Sequence, residues 1–292
     1  MNAMVTLENE YLKLTIRLKG AEMTSLFNKK TDTELLWQAD ENVWGWHAPN
    51  LFPVVGGCIN NQVIIDGQAY PMERHGFARH SEFVVIDSAG THAKLSLQQD
   101  ENTTGSFPYK FSFQVLYDLE GAEVRITYKV INDDDRTIHF AVGAHPAFNV
   151  PFTSGEQQED YFLEFEYDEP LISSALSPSG FFNGNTTELS RTKNILPLTK
   201  GLFDKDALVF KDLKSRRVSL RSTKHSHSIS VEYPQFNYLG VWAKSGAPFV
   251  CLEPWIGCAD TEGQVVGFSE KEAVRSLEKG HVFEADYTIR ID

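Results

Sequence analysis

Apolar and polar residues alternate with a period of two along most of this chain. That pattern restricts it to half-buried antiparallel strands, apolar face inward and polar face outward. Between Tyr11 and Leu18, the side chains of Leu12, Leu14, Ile16 and Leu18 share one face, and Lys13, Thr15 and Arg17 share the other. Phe111 to Leu119 and Val124 to Val130 repeat the pattern on either side of Gly121, the signature of a hairpin. The last strand alternates Phe283, Ala285, Tyr287 and Ile289 with Glu284, Asp286, Thr288 and Arg290. Further strands are expected over 82–87, 93–98, 137–142, 161–167, 218–221, 228–233 and 238–242. Helical periodicity is scarce. The best short helix is Glu270 to Lys279, closed by Gly280. Asn132 to Asp135 reads as a solvated turn, and 153–160 and 173–192 read as the longest irregular stretches. Ten or more strands with one or two short helices give an all-β fold, a large antiparallel β-sandwich or a barrel. No linker or repeat divides the 292 residues, so one domain over 1–292 is expected.

Composition removes several function classes. Lys and Arg number 27 against 40 Asp and Glu, a net charge of −13, which lacks the basic footprint of a nucleic-acid or anionic-membrane binder. Cys58, Cys251 and Cys258 are an odd set without C-x-x-C spacing, so buried reduced thiols are expected rather than a disulfide framework or zinc ribbon. There is no apolar run of membrane-spanning length and no signal-peptide pattern near Glu8 and Glu10, which points to a cytoplasmic protein. Met1-Asn2-Ala3 ahead of Met4 has the look of a cloning remnant.

Four segments break the alternation and set titratable groups beside Gly, Pro and aromatic residues. They are Trp44 to Gly57, Glu73 to Arg79, Gly143 to Pro151 and Cys251 to Gly257. Glu253 stands out because it follows Phe249-Val250-Cys251-Leu252, a buried strand by composition. A carboxylate there has to be paired, or kept for acid–base work. Metal binding has little support: there is no H-E-x-x-H, and His225-Ser226-His227 lies in a polar stretch that reads as a hairpin loop. There is no G-x-S-x-G elbow, P-loop or G-x-G-x-x-G, so neither a serine nucleophile nor a nucleotide cofactor is expected.

Taken in order, these pieces resemble the aldose 1-epimerase (mutarotase) family, and within it the LacX-like bacterial branch. The matching segments are Gly20-Ala21-Glu22 with Ser25-Leu26, Leu51-Phe52-Pro53-Val54-Val55-Gly56, His75-Gly76-Phe77-Ala78-Arg79, and His145-Pro146-Ala147-Phe148-Asn149. Asp206-Ala207-Leu208-Val209-Phe210 and Glu253-Pro254-Trp255 complete them. The resemblance implies the galactose mutarotase-like supersandwich. It implies a general base at Glu253, a general acid at His145, and sugar contacts from His75 and Asp206. Family members usually carry Arg after the glycine matched to Gly56. Here that position is Gly57, and Arg79 or Arg74 is left to supply a guanidinium.

The implied reaction interconverts the α and β anomers of a free hexose. A base takes the O1 proton, an acid protonates the ring oxygen, the ring opens, and it closes on the other carbonyl face; no cofactor is required. On this reading Glu253 is ionised and keeps His145 protonated, while Trp46, Phe148 or Trp255 offers a stacking face. The expected partner is a small sugar, with no nucleic acid or membrane, and the protein is a monomer or homodimer. Three rivals remain. A sugar-phosphate 1-epimerase would need a basic cluster, for which Arg74 and Arg79 are the paired candidates. A carbohydrate-binding protein would not need both His145 and Glu253. A lyase or glycosidase could share the fold, but a glycosidase wants two flanking carboxylates and only one is evident.

Overall fold

The computed structural model describes residues 4–292; the three residues ahead of Met4, read above as a remnant, lie outside the described residues. The alternation resolves into antiparallel sheets. The first has four strands, Met4–Glu8, Leu12–Arg17, Glu22–Asn28 and Thr33–Glu34. A nine-stranded sheet carries, near its centre, Val282–Ile291 beside Glu123–Asn132 beside Phe111–Glu120. Its hairpin pairs Leu119 with Val124 and Glu120 with Glu123, and Gly121 turns the chain at φ +57°. An eight-stranded sheet contains Phe182–Glu188, Ile172–Leu176, Leu208–Phe210, Tyr238–Trp242, Phe249–Ile256, Val142–Ala144 and Asn50–Leu51 in that order. Its eighth strand, Ala147–Asn149, also pairs with Phe249–Ile256.

The inward faces pack into one large apolar cluster that draws on all three sheets, from Leu7 and Leu14 through Phe113, Val124 and Tyr287 to Leu239 and Leu252. Phe52 stacks on Phe113 at 4.4 Å between centroids, and each buried ring of this kind contributes about 1.5–3 kcal/mol. Buried polar groups at this junction are satisfied. The Tyr117 hydroxyl donates to the Ala21 carbonyl (2.7 Å) and that of Tyr128 to Asn50 Oδ1 (2.7 Å), while Asn50 Nδ2 donates to the Gly20 and Ala21 carbonyls (both 2.9 Å). This network fixes Asn50, the cross-strand partner of Ala144, and so fixes the chain entering His145.

Local readings fail where tertiary pairing overrides them. Glu270 to Lys279 is not a helix: a 3₁₀ turn spans Phe268–Glu270, Ala273 sits at φ +58°, and Arg275–Leu277 pairs with Ile138–Phe140. That pairing buries Leu277, a gain the isolated helix would forgo. Asn132 to Asp135 is not simply a solvated turn. Asn132 is buried, with Nδ2 donating to the Arg136 and Leu277 carbonyls, and Asp134 accepts the Lys110 N–H. Most of 173–192 is a hairpin of Ile172–Leu176 with Phe182–Glu188; the second strand is exposed almost throughout and so carries no apolar alternation. The three cysteines are buried and free. The one α-helical turn among the described residues, Glu101–Thr104, is capped by Asp100 accepting from Asn102 and Thr103 N–H.

Candidate active site

Phe249–Ile256 is buried at every position, so both its faces lie inside the protein. Cys251, Glu253 and Trp255 share one face by strand geometry. Two short strands pair with it on one side: Gly143 opposes Trp255, and Ala147 opposes Cys251. The Leu252 N–H reaches the Pro146 carbonyl between them. The same register carried through the interruption sets His145 opposite Glu253. His145 Nε2 lies 3.1 Å from Glu253 Oε2. Gly240, opposite Glu253 on the other flank, has no side chain because a Cβ there would collide with the Trp255 indole.

This pair lines a cavity of about 230 Å³ with His75, Arg74, Arg79, Asp206, Trp44, Trp242 and Trp255. All five residues singled out as site residues, Glu253, His145, His75, Arg79 and Asp206, therefore meet in one place. His75 adopts φ +67°, a left-handed conformation uncommon for a side chain of its size. It is held there by its N–H to the Gly56 carbonyl (2.9 Å). Its Nδ1 accepts the Gly56 N–H (3.2 Å), which fixes the tautomer and leaves Nε2 as the N–H of the ring. The His75 and His145 rings meet edge to face at 5.6 Å. Asp206, at φ +92°, ends a turn ahead of Leu208–Phe210; its Oδ1 accepts the Ala207 N–H (2.7 Å).

The aromatic surroundings differ from expectation. Trp44 stacks on His145 at 5.0 Å and Trp242 meets it edge-on at 5.9 Å; neither stood out in the sequence. The only signal was that Trp44 shares the Trp44 to Gly57 segment and Trp242 ends a strand. Trp255 lines the cavity as expected. Phe148 does not, being wholly buried in the core, and Trp46 lies under the guanidinium groups of Arg17 and Arg79.

Burial works against the expected charged forms. Burial pushes the Glu253 carboxyl well above its usual range; nearby Asp206 pushes the same way and the Trp255 indole opposes them. Burial pulls His145 down to about 3, with Arg79 adding to it. Burial thus disfavours an ionised Glu253 beside a charged His145. The two groups lie 3.1 Å apart, and Glu253 Oε2 has no hydrogen-bond partner among the described residues. His75 is held neutral by burial and by the charges of Arg79 and Arg74.

A divalent ion has one possible set of ligands here: His145, Cys251 and Glu253 offer atoms within 4.8 Å of one another. Burial holds the Cys251 thiol protonated, so an ion would have to displace that proton as well as occupy the acid–base pair. His225 is engaged otherwise, with Nε2 3.2 Å from Glu156 Oε2. No helix among the described residues is long and apolar enough to cross a membrane.

Comparison with known proteins agrees with the fold. The aldose 1-epimerase family model matches residues 3–264. The chromosomal protein LacX of Lactococcus lactis subsp. lactis is 34% identical over 273 residues, 90% of this chain and 91% of that protein. A galactose mutarotase related enzyme from Lactobacillus acidophilus is 31% identical with a TM-score of 0.94, covering 99% of this chain and 97% of the other. A galactose mutarotase-like protein from Lactobacillus casei is 32% identical with a TM-score of 0.93, covering 99% and 100%. The architecture is therefore the galactose mutarotase-like β-sandwich, and this chain belongs to the aldose 1-epimerase family.

Proposed function

We propose that this protein is a mutarotase, a cofactor-independent isomerase that interconverts the anomers of a hexose with a free anomeric centre. The observation that carries the reading is the buried His145–Glu253 contact of 3.1 Å on the wall of a cavity of about 230 Å³. That is below the range typical of drug-sized ligands and suits a single sugar ring. In the ionic form of the pair, Glu253 takes the O1 proton while His145 Nε2 delivers its proton to the ring oxygen. The C1–O5 bond breaks and the aldehyde forms. After rotation about C1–C2, neutral His145 takes the proton back from the C5 hydroxyl as O5 attacks C1. Glu253 returns its proton to O1, and the pair ends as it began. Each such group contributes roughly 10²–10⁴-fold. His75 Nε2–H and Arg79 donate to sugar oxygens, Asp206 accepts from hydroxyls, and the indoles of Trp44, Trp242 and Trp255 supply apolar walls.

The test is polarimetry of freshly dissolved α-glucose and α-galactose, with and without protein. Relaxation should be faster with protein and should revert to the buffer rate with Glu253→Gln. Sugar binding without faster relaxation, for any hexose tried, would replace the enzyme by a carbohydrate-binding protein.

A further inference from the structure

Trp255 carries a buried hydrogen-bond donor with nothing to bind. The residue is 6% exposed, and its Nε1 has no partner among the described residues. Buried indoles usually find one. Trp37 does, with its Nε1 donating to the Trp44 carbonyl (2.8 Å). Beside Trp255 stands an acceptor in the same condition, Glu253 Oε2, buried and likewise unpartnered. The two residues are two apart on one face of Phe249–Ile256, about 6.6 Å along the strand, a span that an indole and a glutamate side chain can bridge.

The flanking strands fix where the indole lies. A Cβ at Gly143, opposite Trp255 on one side, would come within 2.7 Å of the indole Cδ1. A Cβ at Gly240, opposite Glu253 on the other side, would come within 2.5 Å of Cζ2 and 3.1 Å of Cε2. The ring therefore crosses the strand from the level of Trp255 to the level of Glu253, in a slot that the two glycines leave open. Nε1 is bonded to Cδ1 and Cε2, so the N–H lies between the two flanks, over the strand that carries Glu253. The indole favours the charged form of that carboxyl, against burial and Asp206.

From this arrangement we propose that Trp255 is a positioning residue for Glu253. Its N–H closes onto the carboxylate when the carboxyl gives up its proton, and so sets how readily Glu253 acts as the base. The assignment rests on the mutarotase reading and deepens it, since it gives a wall of the cavity a part in the proton transfer. A single donor short of full hydrogen-bond geometry eases ionisation without locking the carboxylate in its charged state.

The experiment compares the pH profiles of kcat and KM for anomer exchange of glucose and galactose, measured by NMR magnetisation transfer. The proteins are the parent, Trp255→Phe, and protein with benzothienylalanine in place of Trp255. The last keeps the bicyclic shape and has sulfur where the N–H was, so it stays informative if phenylalanine packs poorly between Gly143 and Gly240. The titratable neighbours of Glu253, namely His145, Asp206 and Cys251, are the same in all three. In both variants kcat at neutral pH should fall about tenfold, and the limb on which Glu253 titrates should move up by about one pH unit with KM within about threefold, as fits the loss of one N–H to a charged group. A limb that does not move in the benzothienylalanine protein overturns the assignment and leaves the mutarotase standing. With KM raised, that outcome would give the N–H to the sugar; with KM level, it would leave Trp255 a wall. Parent protein that exchanges neither sugar would overturn the reaction itself and this role with it.

Discussion

Glu22 and Glu253 are both 1% exposed, and burial pushes both carboxyls upward, yet their surroundings are opposite. Glu22 Oε1 accepts the backbone N–H groups of His47 (2.8 Å) and Ala48 (2.9 Å), and Oε2 lies against Arg17. It ties the first sheet to the segment carrying Trp44 and Trp46. Glu253 has one imidazole and a neighbouring indole, receives no backbone N–H, and borders the cavity. Glu169 follows the Glu22 pattern, taking N–H groups from Lys214 and Ser215. Structural carboxylates in this protein are surrounded by donors; the one left short of donors borders the cavity. A group that must give up and take back a proton cannot be saturated with fixed donors, since each would hold it in the charged state.

The sharpest way to break the comparison is to make both glutamates amides. Glu253→Gln should lower the anomer-exchange rate by about 10³-fold or more, because an amide can neither take nor return the O1 proton. Its unfolding midpoint in urea should stay level or rise, since a poorly satisfied buried acid is removed. Glu22→Gln should do the reverse. It leaves Arg17 without its counter-charge and should cost about 2–3 kcal/mol in urea unfolding, somewhat below full loss of a buried partner because the amide oxygen still accepts N–H bonds. Its exchange rate per folded molecule should be close to that of the parent. If Glu253→Gln lost stability and kept its rate, Glu253 would be structural and the distinction would collapse.

The sequence carries the strand pattern well, because period two needs only residue type, and it flags Glu253 because a carboxylate in an apolar run is costly wherever the strand goes. His145 opposite Glu253 is a matter of register across an interrupted ladder, so the sequence alone could not derive it; there the resemblance to a family supplied the residue. Trp44 and Trp242 do not stand out because an aromatic beside the His145 imidazole looks, in sequence, like any core aromatic. The segment 270–279 has helix-forming residues, but such residues also tolerate a short edge pairing that buries Leu277. The protonation of the pair is a separate matter. A carboxylate near His145 raises its pKa only if that carboxylate is ionised, and the burial that the apolar run before Glu253 already signals works against that condition.

That last point has a measurable consequence for stability against pH. In the native pair Glu253 is raised above its unfolded value of 4.5 and His145 is lowered from 6.5 to about 3. A raised carboxyl contributes stability fully present below 4.5 and lost as pH rises through its native pKa. A lowered imidazole contributes stability present above 6.5 and lost as pH falls toward about 3. Between 4.5 and 6.5 the two slopes cancel, because folded and unfolded chains each hold one proton on these groups. Above 6.5 the unfolded chain holds none, and the pair's contribution should fall by about 1.4 kcal/mol per pH unit; below 4.5 it should fall equally on acidification. Subtracting the urea-unfolding profile of Glu253→Gln/His145→Asn from that of the parent isolates this term from Glu22 and the other acids. The expected difference curve is flat in the middle and declines on both sides. A curve that rises through 4.5 to 6.5 and stays level above would mean an ionised Glu253 beside a neutral His145. A pair without its proton would have none to give the ring oxygen, so that outcome would remove the acid from the proposed mechanism while leaving the contrast with Glu22 intact.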